Sequence, residues 1–260
     1  MNTTLSSPPW LCIAGYRFVD VDDPTALAAA LESAAAEHGL RGTVLVAQEG
    51  LNFMLAGPGE APERWLQVLR ADARFTDVPV HRGEADSPPF GHLRVKVKRE
   101  IIRMDQPTVR PGGGRAAAVD AATLERWIAQ GRCDEGRPLA LLDTRNAWEV
   151  DAGAFDGALD WRLDRFGDFP QALQAHAEAL RGHTVVSYCT GGIRCEKAAL
   201  WMQAQGVEHV HQLDGGILGY FRATAGAPGW RGRCVVFDER GTVGPADAQP
   251  STPAHADTAP

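Results

Sequence analysis

Residues 184–198, TVVSYCTGGIRCEKA, constrain the fold more than any other stretch of the chain. An apolar run of strand length, TVVSYC (184–189), ends at a cysteine. Two glycines and an arginine follow, and CEKAALWMQAQG (195–206) then places Cys195, Ala199 and Met202 at helical spacing. A strand that is apolar on both faces and turns tightly into a helix belongs to a parallel sheet covered on both sides. Such sheets hold ligands at the carboxyl ends of their strands, which is where this loop falls. Gly191 and Gly192 let successive N–H groups turn inward, and the helix start adds positive potential. A thiol at Cys189, with Arg194 closing the ring, lies in a field that favours the thiolate. The loop Cys189, Thr190, Gly191, Gly192, Ile193, Arg194 therefore reads as a nucleophile cradle, with Cys189 and Arg194 as its catalytic residues.

The spacing is Cys-x4-Arg. Cysteine-dependent phosphatases use Cys-x5-Arg, and that later slot holds Cys195. The smaller ring suits a sulfane sulfur better than a phosphate. Cys195 reads equally as a thiol resolving a persulfide or disulfide at Cys189 and as a small residue in the first helical turn. Glu196 is explained by the helix dipole alone, and Lys197 is expected to face solvent. Asp143 and Arg145, at the end of the strand LALLD (139–143), are expected to brace the scaffold.

The rest of the chain divides around this element. Strand and helix signals alternate through 10–19, 23–39, 41–48, 51–57, 61–72, 75–84 and 93–100, with Glu49-Gly50 at a hairpin. That β-α-β-β-α-β order, with 75–84 and 93–100 both as closing strands, predicts a ferredoxin-like α+β domain over residues 1–103. MDQPTVRPGGGRAAA (104–118) has two prolines and three consecutive glycines and reads as a linker. Helices at 120–130, 145–150, 169–181 and 195–206 alternate with strands at 139–143, 184–189 and 209–216, giving an α/β domain over 119–240. The Pro-, Ala-, Ser- and Thr-rich end, 241–260, reads as a disordered tail.

Bulk properties exclude some classes. A formal net charge of −7 argues against a chain-wide nucleic-acid footprint. A local cationic stripe remains in LRVKVKRE, where Arg94, Lys96 and Lys98 share one face of a strand, followed by Arg99. The five cysteines make neither a CxxC pair nor a disulfide framework, which implies a reducing compartment. Cys12, Cys133 and Cys234 read as structural. With no signal peptide and no apolar run of spanning length, a cytoplasmic location without membrane association is expected. No dinucleotide fingerprint and no metal-ligand cluster stands out, so neither a cofactor nor a metal is expected, and the oligomeric state stays open.

The second half resembles a rhodanese domain. CTGGIRCEKA, together with LLDTRNAWEVDAGAFDGA (141–158) and HQLDGGILGYF (211–221), is similar to one subfamily, the rhodanese-like tRNA uridine hydroxylases. The similarity reaches GRCVVFDER (232–240), and LVAQEGLNFMLAG and RVKVKREII in the first domain, which it makes acylphosphatase-like. The resemblance implies oxygen-dependent conversion of a wobble uridine to 5-hydroxyuridine, with molecular oxygen as co-substrate. It also implies tRNA, gripped at its anticodon region, as partner, and Cys189 as the conserved, persulfide-forming cysteine. Arg94, Lys96, Lys98 and Arg99 then become candidate tRNA contacts. Two departures stand out: Phe53-Met54 replaces a small Gly-Thr pair, and no Cys-x2-Cys element follows FDER. The alternative reading is a thiosulfate- or persulfide-dependent sulfurtransferase acting through a Cys189 persulfide.

Overall fold

The computed structural model describes residues 9–248. β1 (Trp10–Phe18), α1 (Pro24–Glu37), β2 (Arg41–Ala47), β3 (Gly50–Pro58), α2 (Ala61–Arg70), β4 (Val80–Ala85) and β5 (Leu93–Val97) form the first domain. Asp23 starts α1 by accepting from the amides of Thr25 and Ala26, with Pro24 in the first turn. The sheet order is β4-β1-β3-β2-β5, antiparallel except for the β2–β5 pair. The helices cover one face, where Ile13, Val44, Leu51, Phe53 and Trp65 form the core. The other face, carrying Cys12, Ala14, Tyr16 and Met54, turns toward the second domain.

The expected strand 75–84 starts later. Asp72 caps a 3-10 turn at Ala73–Phe75, and Pro79, which has no N–H to give a ladder, precedes β4. β5 ends at Val97 rather than 100, because Glu100 turns away to accept from the amides of Met104 and Asp105.

The expected linker is packed rather than loose. Met104, Val109, Pro111 and Ala116 are buried, and Ala117–Val119 forms β6, an edge strand of the second sheet. Its prolines and glycines shape a fixed path across the domain junction.

The second domain continues through α3 (Ala121–Gln130), β7 (Leu139–Asp143), α4 (Ala147–Ala152), β8 (Gly153–Phe155), β9 (Leu159–Asp160), α5 (Phe169–His176), β10 (Thr184–Tyr188), α6 (Ile193–Ala204), β11 (Val210–Leu213) and α7 (Gly216–Ala223). The main sheet runs β6-β11-β10-β7-β9, all parallel. Leu124, Trp127, Ile217 and Phe221, from α3 and α7, cover one face. Phe169, Leu173, Ala199 and Met202, from α5 and α6, cover the other. β10 is buried along its whole length, as its unbroken apolar run requires.

β12 (Trp230–Gly232) pairs with β8, and β13 (Cys234–Val235) with β14 (Thr242–Val243). Residues 241–248 are thus ordered rather than part of a loose tail: Val243 is buried, and Asp247 accepts from Arg233 at 2.7 Å. The remainder of the expected tail, 249–260, lies outside the described residues, as do residues 1–8.

Candidate active site between the two domains

The cradle is built by its neighbours as much as by its own glycines. β10 delivers Cys189, and the chain turns through Gly192, whose φ of 100° is left-handed, into α6. Gly192 has a second reason to lack a side chain: a Cβ there would meet the Tyr16 hydroxyl at 2.9 Å. The first turn of α7 takes the loop's carbonyls. Ile217 N–H donates to Cys189 O at 3.0 Å and Leu218 N–H to Thr190 O at 3.1 Å. With those carbonyls held outward, the amides face the sulfur. Gly192 N–H donates to Cys189 Sγ at 3.2 Å, and the amides of Arg194 and Cys195 add to it.

Burial opposes ionisation of Cys189, yet a hydrogen bond from Cys195, the Arg194 charge and the backbone amides outweigh it and lower the pKa to about 6. Cys195 moves the opposite way, raised by burial and by the neighbouring sulfur. Its Sγ also lies 3.5 Å from Thr144 Oγ1. Both cysteines are free thiols.

Arg194 belongs to the first turn of α6, which begins at Ile193 rather than 195. It makes a bidentate pair with buried Glu149, at 2.6 and 2.8 Å, and keeps its charge against Cys189. Glu149 also accepts from the Asn146 amide at the start of α4. Sequence reading passed over Glu149, although Asn146-x-x-Glu149 is a capping-box pattern. Asp143 and Arg145 do brace the scaffold: fully buried, they pair at 2.6 Å, and Arg145 donates to the carbonyls of Glu149 and Gly153.

The other wall comes from the first domain. A cavity of about 520 Å³ lies between the domains, lined by Cys189, Thr190, Gly191, Ile193 and Arg194 on one side and by Cys12, Tyr16, Asn52, Met54 and His81 on the other. Cys189 is buried but opens onto this cavity. His81 accepts at Nδ1 from Arg222, so the proton of the neutral ring sits on Nε2, the atom nearest Gly191. Its hydrogen bond to the Gly191 backbone is therefore a donation to the carbonyl. A trans peptide points its N–H opposite to its C=O, so this donation aims Gly192 N–H at the sulfur. Burial and, secondarily, Arg222 push the His81 pKa down to about 4.

Two expectations for α6 are corrected. Lys197 is buried rather than solvated, pairing with Glu49 at 2.8 Å and Glu100 at 2.6 Å, both from the first domain. Glu196 does more than favour a dipole: it accepts from Tyr16 at 2.8 Å and pairs with Arg115 at 3.2 Å. Of the pair Phe53-Met54, the Phe53 ring packs in the helix-covered core against Trp65, and Met54 lies on the opposite face of the sheet, toward the cavity.

Two domain families match: the UPF0176 acylphosphatase like domain over residues 10–101 and the rhodanese-like domain over residues 120–223. A Bordetella petrii protein named tRNA uridine(34) hydroxylase is 56% identical over 239 residues, 92% of this chain and 94% of its own length. Its Bordetella pertussis namesake is 58% identical over 228 residues, covering 88% and 93%. A third, from Xanthomonas axonopodis pv. citri, is 51% identical over 232 residues, covering 89% and 93%. The chain belongs to the tRNA uridine(34) hydroxylase family.

In this member of the family the cationic stripe shares the cavity's side of the first sheet. Arg94 pairs in register with Thr43 and Lys96 with Leu45, and Leu45 lines the cavity. Arg94, Lys96, Lys98 and Arg99 are all exposed. Arg99 pairs with Asp105 at 3.7 Å, whereas Lys96 and Lys98 have no carboxylate partner among the described residues. Among the described residues, no cluster of His, Cys, Asp or Glu could hold a metal ion, and no helix is long and apolar enough to cross a membrane.

Proposed function

We propose that this protein hydroxylates C5 of the wobble uridine in tRNA, with molecular oxygen as co-substrate and Cys189 as its nucleophile, in the cytoplasm. The observation that carries the reading is a cysteine sulfur that accepts from a backbone amide of its loop at 3.2 Å, at the floor of a cavity of about 520 Å³ that two domains share. A nucleobase swung out of the anticodon loop fits such a space, and single-stranded loops present bases in that way. The exposed stripe of Arg94, Lys96 and Lys98 on the same side would hold the RNA backbone.

In this reading Cys189 Sγ adds to uracil C6, forming the C–S bond with the thiolate pair and moving the ring's C5–C6 pair onto C5. The loop amides and Arg194 hold the attacking sulfur ionised, and the negative charge passes from it to the C5–C4–O4 enolate of the ring. C5 then attacks oxygen to form a C–O bond. An external two-electron donor and two protons cleave the O–O bond of the resulting C5 peroxide, and one oxygen leaves as water. Loss of the C5 proton then expels Cys189 to give 5-hydroxyuridine. Without oxygen, C5 takes a solvent proton, the original C5 proton leaves, and elimination returns the thiolate.

Nucleoside mass spectrometry of tRNA tests the reading. A deletion strain is expected to lose 5-hydroxyuridine and its derivatives, and the wild-type gene, but not a Cys189→Ala version, to restore them. Unchanged 5-hydroxyuridine in the deletion strain would refute it.

A further inference from the structure

Six arginines line the interdomain cavity, and five of them face a carboxylate: Arg82 with Glu63, Arg103 with Asp105, Arg165 with Asp168, Arg194 with Glu149, and Arg240 with Asp238. Arg222, in the last turn of α7, is the exception. Its hydrogen-bond partner is the neutral ring of His81, and among the described residues no acid answers its charge. His81 orients the guanidinium without neutralising it, taking one N–H and leaving others free. The same ring lies against Gly191, so Arg222 stands two contacts from the loop that holds Cys189. Burial and the neighbouring Arg82 act against its charge. A half-buried cation with no counter-ion is costly unless a ligand supplies one.

We infer that Arg222, oriented by His81, is a subsite for a tetrahedral oxyanion bound in the cavity together with the reacting group. For the function proposed above, on which this assignment rests, the anion is a phosphodiester of the RNA strand next to the target nucleotide. Arginine matches such an oxyanion with paired donors. Thiosulfate carries the same chemistry in a small molecule.

The test compares wild type with Arg222→Gln, whose amide still donates to His81, and Arg222→Lys, which keeps the charge. Binding of an anticodon stem-loop RNA is followed by fluorescence anisotropy over a salt series. Thermal stabilisation by thiosulfate is measured in parallel. For Arg222→Gln the RNA affinity is expected to fall about 5–10-fold, and the slope of log K against log salt to shrink by about 0.7, with Arg222→Lys restoring the slope. Loss of the thiosulfate effect alone would keep the oxyanion subsite but assign it to the small molecule. Wild-type behaviour of Arg222→Gln in both assays would overturn the subsite, even where the enzyme still modifies tRNA.

Discussion

The cavity has two walls, and each carries a cysteine. On the sheet wall, Cys12 sits in β1, and burial drives its pKa up to about 11. On the loop wall Cys189 is more deeply buried, yet its pKa falls to about 6. The difference lies in what faces each sulfur: the Cys195 thiol and the Arg194 charge act on Cys189, and backbone amides add to them. The amides of β1 are spent on ladders to β3 and β4, so none is left for the sulfur. After Cys189 the chain enters a helix whose first amides, those of Gly192 and Arg194, precede the intrahelical bonds, which start with Cys195 N–H to Gly192 O. The first turn of α7 occupies the carbonyls of Cys189 and Thr190. Burial alone makes a thiol inert. Burial with orphan donors makes it a nucleophile.

The largest expected effect separates the two walls outright. Cys189→Ala is expected to lower 5-hydroxyuridine formation at least about 10³-fold, about 4 kcal/mol of lost transition-state stabilisation, while Cys12→Ala stays close to wild type. Alkylation by iodoacetamide sharpens the contrast. Cys189 loses its proton as pH rises through about 6, so its rate climbs through that pH, levels off, and is lost again as pH falls. Cys12 stays protonated until far higher pH and is expected not to react in that range. Equal labelling of both at neutral pH would break the comparison.

A second effect asks whether the walls are independent. The first turn of α6 is clamped by the first domain, with Ile193 packed beside Phe18, Ala47 and Ile101, and Lys197 held by Glu49 and Glu100. Lys197→Met leaves two carboxylates facing each other without their cation. The expected loss is about 3 kcal/mol, seen as a lower Tm. Adding Glu49→Gln and Glu100→Gln is expected to recover part of it. A Lys197→Met protein with unchanged Tm would mean that the domains merely touch.

These contacts mark the limit of what the sequence discloses. The loop was legible because strand, glycines, cysteine and helix are contiguous, and each residue's conformational need is local. The first domain's order was legible for the same reason, through its alternating periods. Tyr16, His81 and Arg222 were not, because their part in the site depends on partners far along the chain. Lys197 was misplaced because a lysine near the start of a helix is usually solvated, and nothing nearby in sequence signals Glu49 and Glu100, the two acids that bury it. The stretch 104–118 failed differently: its prolines and glycines signal irregular backbone, and irregular backbone can be packed.

The smallest expected effect is the finest test of how the sheet wall reaches the sulfur. His81 donates to the Gly191 carbonyl, and that peptide's other end supplies the Gly192 N–H at 3.2 Å from Cys189 Sγ. His81→Ala removes the donor and frees the peptide to turn. The thiolate then loses part of one hydrogen bond, and the midpoint of its alkylation profile is expected to move up from about 6 by about one unit, about 1.4 kcal/mol. His81→Gln, whose amide can donate from a similar position, is expected to bring the midpoint back. A merely packing role for His81 would alter stability and leave the midpoint in place. An unmoved midpoint in His81→Ala would mean that the α7 amides fix the loop by themselves, and that the sheet wall shapes the cavity without tuning its nucleophile.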